Sequence, residues 1–261
     1  MSATTIVQRR ATDVRLFGAG GYALALQLGH PTIAAGVRDH SSFRTDPWGR
    51  FFGTVDFVNL LVYGTPGQVA AATHGLRVMH ARIRGIDANG HRYTALDPAA
   101  FAWVHATLAE AIVRGHHLFG REFTHAEKQQ FWTGWLALGA QMGVAPDALP
   151  ESWNAFQTYK RAMIDDVLEY NDMIDVAQGV ARHNALAPLS RWGAFLARGT
   201  MGAQLRDKYR IAWTGRDQWL FARIAAAHRA ATPMMPPMLR RAGPTILRVR
   251  GRQIAKGPFA A

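Results

Sequence analysis

Apolar residues in this chain recur mainly at three- and four-residue intervals, in long blocks separated by Gly, Pro and polar clusters. That is the pattern of amphipathic helices rather than of alternating strands. The punctuation sharpens the reading. "TDPWG" offers Asp46 as an N-cap with Pro47 at the first helical position, where a missing N–H costs nothing. Thr65-Pro66 and Asp97-Pro98 repeat the device, the former opening a helix expected to end at Gly85, and Thr124 with Glu127 forms a capping box. A first helix is expected from Asp13 towards Gly29, and a short one from Pro31 that gives way to a loop by residue 45. Further helices are expected over about 151–183, 189–208 and 215–231, before "PMMPPM" (233–238) breaks the pattern. Asn89-Gly90 is a preferred hairpin pair and predicts one small β-ribbon near 84–95. No internal repeat or flexible linker is seen. The expected fold is all-α: a single multi-helix globular domain over 13–237, followed by a basic C-terminal tail over 238–261.

One motif points elsewhere. "VRLFGAGGYALAL" (14–26) looks like a strand followed by the glycine turn of a dinucleotide-binding fold, with Gly18, Gly20 and Ala23 in register. That fingerprint needs a βαβ unit around it. Proline-capped helices follow instead, so these glycines are read as places of close helix packing or of close approach to a flat ligand.

Composition narrows the chemistry. With 261 residues, 49% of them hydrophobic and 18% charged, the chain can bury a sizeable core. There is no cysteine, which excludes disulfides, iron–sulfur clusters, a thiolate-ligated haem and a cysteine nucleophile. A metal would have to be held by His, Asp, Glu, Tyr or Met, and 11 histidines are the obvious supply. The net charge of +12 calls for an anionic partner or a solvated basic surface. Lysine occurs only at 128, 160, 208 and 256, the arginines are scattered, and no RNA-binding aromatic motif is present, so nucleic acid is not expected. The one strongly basic cluster, "LRRAGPTILRVRGRQIAKG" (239–257), is read as a solvated basic surface, with a membrane-surface contact as the alternative. The first ten residues lack a signal-peptide core, and no apolar run approaches the ~20 residues of a bilayer span. A cytoplasmic chain is expected, soluble or peripheral at a membrane surface.

Two histidines lie on apolar helical faces. At about 100° per residue, Val69, Ala72, Leu76, His80 and Ile83 share one sector of the helix that begins at Pro66. Phe101, Val104, His105, Leu108 and Ile112 share one face of the helix that begins at Pro98. An inward imidazole is either a packed, hydrogen-bonded core group or a metal ligand, and neither histidine has the H-E-x-x-H spacing of a hydrolytic zinc site. Arg50 and Thr54, four residues apart, project from one face beside Phe51, Val55 and Val58. An inward arginine needs an anion or an acceptor. An ion pair with Asp39 or Asp46 would supply one; so would a cofactor carboxylate or an iron-bound oxygen species.

Four stretches, "HPTIAAGVRDHSSFRTDPWGRFFGT" (30–54), "LRVMHARIRG", "YTALDPAAFAWVHATL" (93–108) and "LPESWNAFQTY" (149–159), carry a resemblance over nearly the whole chain. They resemble the bacterial oxygenase family that includes latex-clearing protein (rubber oxygenase) and the membrane-associated oxygenase of mycophenolic acid synthesis. The resemblance implies an all-α fold that binds haem b non-covalently. It implies His80 as the axial iron ligand, with His105 as a second pocket residue and the alternative ligand. It also implies Arg50 and Thr54 as the Arg and Thr of the family's R-x-x-K-T haem-pocket motif. Two departures stand out. The motif's lysine is Gly53 here, which implies an open distal side, and the chain's first glutamate is Glu110, so the catalytic glutamate of the rubber enzymes has no counterpart upstream. The function implied is a haem-dependent oxygenase acting with O₂ on a lipophilic, unsaturated small molecule, served by an electron donor. Two alternatives keep the fold: a non-catalytic haem sensor or carrier, and a haem-free helical protein that binds lipid or a membrane surface.

Overall fold

The computed structural model describes residues 3–13, 18–87, 89–179, 187–236, 239 and 242–254. Its centre is α6 (Pro98–Phe119), and the residues that line α6 explain why it sits there. Ala102, Ala106, Ala109 and Ala111 are buried on several sides of the helix, so neighbours approach it closely all round. Against it pack α2 (Gly20–Leu28), α7 (His125–Gln141), α10 (Ala187–Thr200) and α12 (Gly215–Ala231), while α1 (Ala3–Arg10) and α8 (Trp153–Ala162) reach it through the His116–Arg10 carbonyl and Lys160–Glu110 bonds. α3 (Pro31–His40), α4 (Pro47–Tyr63), α5 (Pro66–Ala81), α9 (Asp172–Gly179) and α11 (Ala203–Lys208) complete the body, and α13 (Gly243–Ile254) lies along α4. The chain is all-α, with one antiparallel ribbon of β1 (Arg84–Ile86) and β2 (Arg92–Thr94), in which Arg84 faces Thr94 and Gly90 takes φ +84°.

The caps form as the sequence predicts. Asp46 accepts from the Gly49 N–H at 2.8 Å, Asp97 accepts from the Ala100 N–H at 2.8 Å, and Thr65 and Thr124 complete reciprocal boxes with Gln68 and Glu127. Boundaries differ where side chains compete for the backbone. The helix expected over 151–183 ends α8 in a single π turn (Met163–Val167) and resumes as α9. Between them Asn171 donates to the Leu28 carbonyl at 2.8 Å and accepts from the Met173 N–H at 3.0 Å, tying the break to α2. The 189–208 helix likewise breaks at Met201–Gly202 into α10 and α11. α5 stops at Ala81 because Arg84 enters the ribbon, which leaves Ile83 outside the helix. The helix expected from Asp13 begins at Gly20 as α2, and residues 14–17, the front of the dinucleotide-like motif, lie outside the described residues.

Two features were not foreseen. α1 packs on α7, where Arg10 pairs with Glu127 at 3.1 Å. Within the basic stretch after 238, α13 docks on α4, where Arg250 grips Asp56 through Nε at 3.1 Å and Nη2 at 2.9 Å.

Candidate active site

α2, α4, α6, α10 and α13 enclose a mostly apolar cavity of about 570 Å³, within the size range of small-molecule sites. Its α4 wall is the stripe read from the sequence: Arg50, Phe51, Thr54, Val55 and Val58. Leu108, Ala111 and Ile112 of α6 face it, as do Leu196 and Ala197 of α10 and Ile246 of α13. The α2 wall can lie flat against its neighbours because it begins Gly20-Gly21. A Cβ on Gly21 would stand 2.3 Å from the Ala197 Cβ, and one on Gly20 would stand 2.5 Å from the Phe51 ring. The mouth is aromatic: Trp48, Phe51 and Phe52 pack ring on ring, and Phe52 and Trp192 are 40% and 43% exposed.

Arg50 has a dual environment. By surface area it is exposed, yet burial pushes its guanidinium below the ordinary arginine range. The two observations agree if its accessible surface faces the cavity it lines and protein surrounds it otherwise. Its Nη1 donates to Ser41 Oγ at 2.9 Å, and Ser41 Oγ in turn accepts from the Phe43 N–H at 3.1 Å. Neither Asp39 nor Asp46 takes the guanidinium: Asp39 accepts from the Tyr93 hydroxyl at 2.5 Å, and Asp46 serves as the cap of α4. Thr54 donates back to the Arg50 carbonyl at 3.2 Å, so its oxygen lone pairs remain for a ligand.

His80 lies off the cavity wall but within the electrostatic field of Arg50. Burial first, and that positive charge second, push its imidazole down to about 4, so it is neutral at pH 7. The ring meets Phe101 edge-on at 5.8 Å, and Nδ1 is buried with no partner among the described residues. Gly53 sits on the same α4 segment, and a Cβ built there would touch nothing within 4 Å.

His105 is placed differently. Its Nε2 bonds the Trp135 carbonyl at 2.8 Å, its ring stacks on the Trp135 indole at 5.2 Å, and Trp135 Nε1 returns a bond to the His105 carbonyl at 2.9 Å. Gly139 passes so close that a Cβ would stand 2.7 Å from Nε2. Burial holds this imidazole near 4 as well. The structure therefore brings Arg50 and Thr54 to the cavity and His80 near Arg50, while His105 is packed into the α6–α7 interface.

The donor set can be tested against a porphyrin. Among the described residues no three His, Asp or Glu side chains come together to hold a metal. A haem brings its equatorial ligands with it and asks the protein only for axial ones. A neutral imidazole with a buried, unpartnered Nδ1, a cation for a carboxylate and apolar walls fit that request. Sequence reasoning missed Ser41, which holds Arg50, and the walls from α10 and α13. The i, i+9 spacing of Ser41 and Arg50 across a turn carries no periodic signal.

The family model described as "ER-bound oxygenase mpaB/B'/Rubber oxygenase, catalytic domain" matches residues 8–230. No curated protein and no solved structure matches the chain.

Proposed function

We propose that this chain, which belongs to the mpaB/rubber oxygenase catalytic-domain family, is a haem-b-dependent oxygenase whose lipophilic substrate occupies the apolar cavity. The observation that carries the reading is the pairing of Arg50 and Thr54 on the apolar cavity wall with His80, whose neutral imidazole feels the Arg50 charge and leaves a buried Nδ1 without a partner among the described residues. His80 would hold the iron, and Arg50 would hold a propionate or lend its positive charge to the side of the group where the chemistry occurs. The group, when bound, supplies O₂ activation for attack on a carbon–carbon double bond or a C–H position.

The chain's own residues do the rest. The walls from α2, α6 and α10 exclude water and align an apolar substrate by shape. Ser41 fixes the guanidinium of Arg50, so that positive charge stands ready without reorganisation. Thr54 offers a hydroxyl that its bond to the Arg50 carbonyl already orients. The exposed Phe52 and Trp192 at the mouth, with the net charge of +12, favour a peripheral membrane contact through which an apolar substrate arrives. No helix among the described residues is long and apolar enough to cross a membrane. An external electron donor is part of the proposal.

The test is the absorbance spectrum of purified protein supplied with haemin, oxidised and dithionite-reduced, for the wild type, His80→Ala and His105→Ala. A Soret band is expected in the wild type and in His105→Ala, and its collapse in His80→Ala. A band that survives in His80→Ala removes the axial assignment. No band in the wild type removes the haem reading.

A further inference from the structure

α2 and α6 turn other faces towards a second, smaller hollow of about 270 Å³, completed by α8 and the start of α11. Its lining carries three cations, Arg114, Lys160 and Arg161, against one carboxylate, Glu110. Glu110 is already engaged on both oxygens. Lys160 Nζ donates to its Oε1 at 2.6 Å, Gln157 Nε2 donates to its Oε2 at 3.0 Å, and the Tyr22 hydroxyl donates to Oε1 at 3.4 Å. That pair is charge-neutral, and it leaves both arginines uncompensated.

The two arginines are held rather than merely present. Arg114 Nε donates to the Thr200 carbonyl at 3.1 Å, which fixes the plane of its guanidinium and leaves both Nη groups unused. Arg161 gives one Nη to Thr158 Oγ1 at 3.1 Å. Among the described residues neither has a carboxylate as an ion-pair partner; the Asp165 carboxylate stands outside the lining and accepts from the Gln204 amide. Lys160 uses two of its three N–H donors, on Glu110 and Gln157. Gln157, Lys160, Arg161 and Ile164 share one helical face, and the chain widens into its π turn where that face reaches the hollow. Such single π turns recur at functional positions.

Planar guanidinium forks match the oxygens of phosphate and carboxylate groups. The volume falls below the roughly 300 Å³ at which drug-sized pockets begin, so the ligand is small. We infer that this hollow is a binding site for a small dianionic oxyanion, a phosphate group, received by the Nη groups of Arg114 and Arg161 and the remaining N–H of Lys160. The site stands apart from the apolar cavity, and its occupancy does not depend on haem or on oxygenase activity.

The test titrates inorganic phosphate into the full chain by calorimetry, with ionic strength held constant by chloride. Saturable one-to-one binding is expected. It should weaken about tenfold in Arg161→Gln and by at least as much in Arg114→Gln, the loss of one charge-assisted bond each. Arg161 is at the exposed rim, and matching melting temperatures without phosphate establish that its variant folds. Competition by glycerol phosphate alone identifies a soluble phosphate monoester as the source. Tighter competition by a short-chain phosphatidic acid below its micelle concentration identifies a lipid headgroup; either result supports the site. Absence of saturable phosphate binding in the wild type, or unchanged affinity in Arg161→Gln, overturns it.

Discussion

At the scale of single residues, the two inward histidines show how much a face assignment leaves open. Both lie on apolar helical faces, both are pushed to about 4 by burial, and both leave Nδ1 unpartnered among the described residues. What separates them is the other nitrogen's neighbourhood and the elements around it, which periodicity does not carry. His105 is locked by Trp135 and Gly139, and from this follows a pH dependence. Its folded pKa of about 4 lies below the ordinary 6.5, so the unfolded chain takes up the proton first as pH falls. The stability due to the neutral imidazole is complete above pH ~6.5, is lost progressively towards pH ~4, and changes no further below that; it amounts to about 3 kcal/mol at most. His105→Gln keeps a donor for the Trp135 carbonyl and removes the titration. Urea midpoints measured between pH 4 and 7 should therefore fall more steeply for the wild type than for this variant. Parallel curves would mean that His105 does not titrate with folding.

At the scale of elements, the starts of helices were legible and their ends were not. Asp46, Thr65, Asp97 and Thr124 each open a helix because one side-chain oxygen meets the N–H three residues on, a local event that sequence displays directly. The break between α8 and α9 is tied to a distant partner, the Leu28 carbonyl that Asn171 reaches across 143 positions, which no local pattern displays. The glycines at 20 and 21 are an intermediate case. Their sequence allows a nucleotide turn, a close helix crossing or close approach to a flat ligand, and the Ala197 Cβ at 2.3 Å from a Cβ built on Gly21 places that residue at the crossing of α2 with α10. Gly21→Ala should therefore push these helices apart at a cost of about 1–3 kcal/mol, as overpacking does, although alanine is the better helix former. Thermal denaturation reads the cost, and a changed emission from Trp192 on α10 reads the displacement. An unchanged or raised melting temperature would show that the crossing has slack. Arg50 and Thr54 were legible as one stripe of α4, whereas the cavity they line required α10 and α13 to be set against it.

At the scale of the whole molecule, charge and shape act on the same event. A chain of net charge +12 is drawn to any anionic surface, but that attraction alone is blind to orientation. In the proposed membrane contact the exposed Phe52 and Trp192 at the cavity mouth would add a preferred face, because burying their rings in a bilayer interface would remove apolar area from water. The two contributions differ in their response to salt. Screening shortens the reach of charge from about 10 Å at 0.1 M to about 3 Å at 1 M, and leaves ring burial in place. Co-sedimentation with vesicles containing phosphatidylserine should therefore be strong at low ionic strength and fall steeply as salt rises. A salt-resistant remainder should persist in the wild type and vanish in Phe52→Ser/Trp192→Ser, and phosphatidylcholine vesicles should capture the wild type only to the level of that remainder and the double variant hardly at all. Equal capture by neutral vesicles would remove charge from the account. A double variant with the wild-type remainder would remove the mouth, and with it the idea that an apolar substrate passes from the bilayer directly into the cavity.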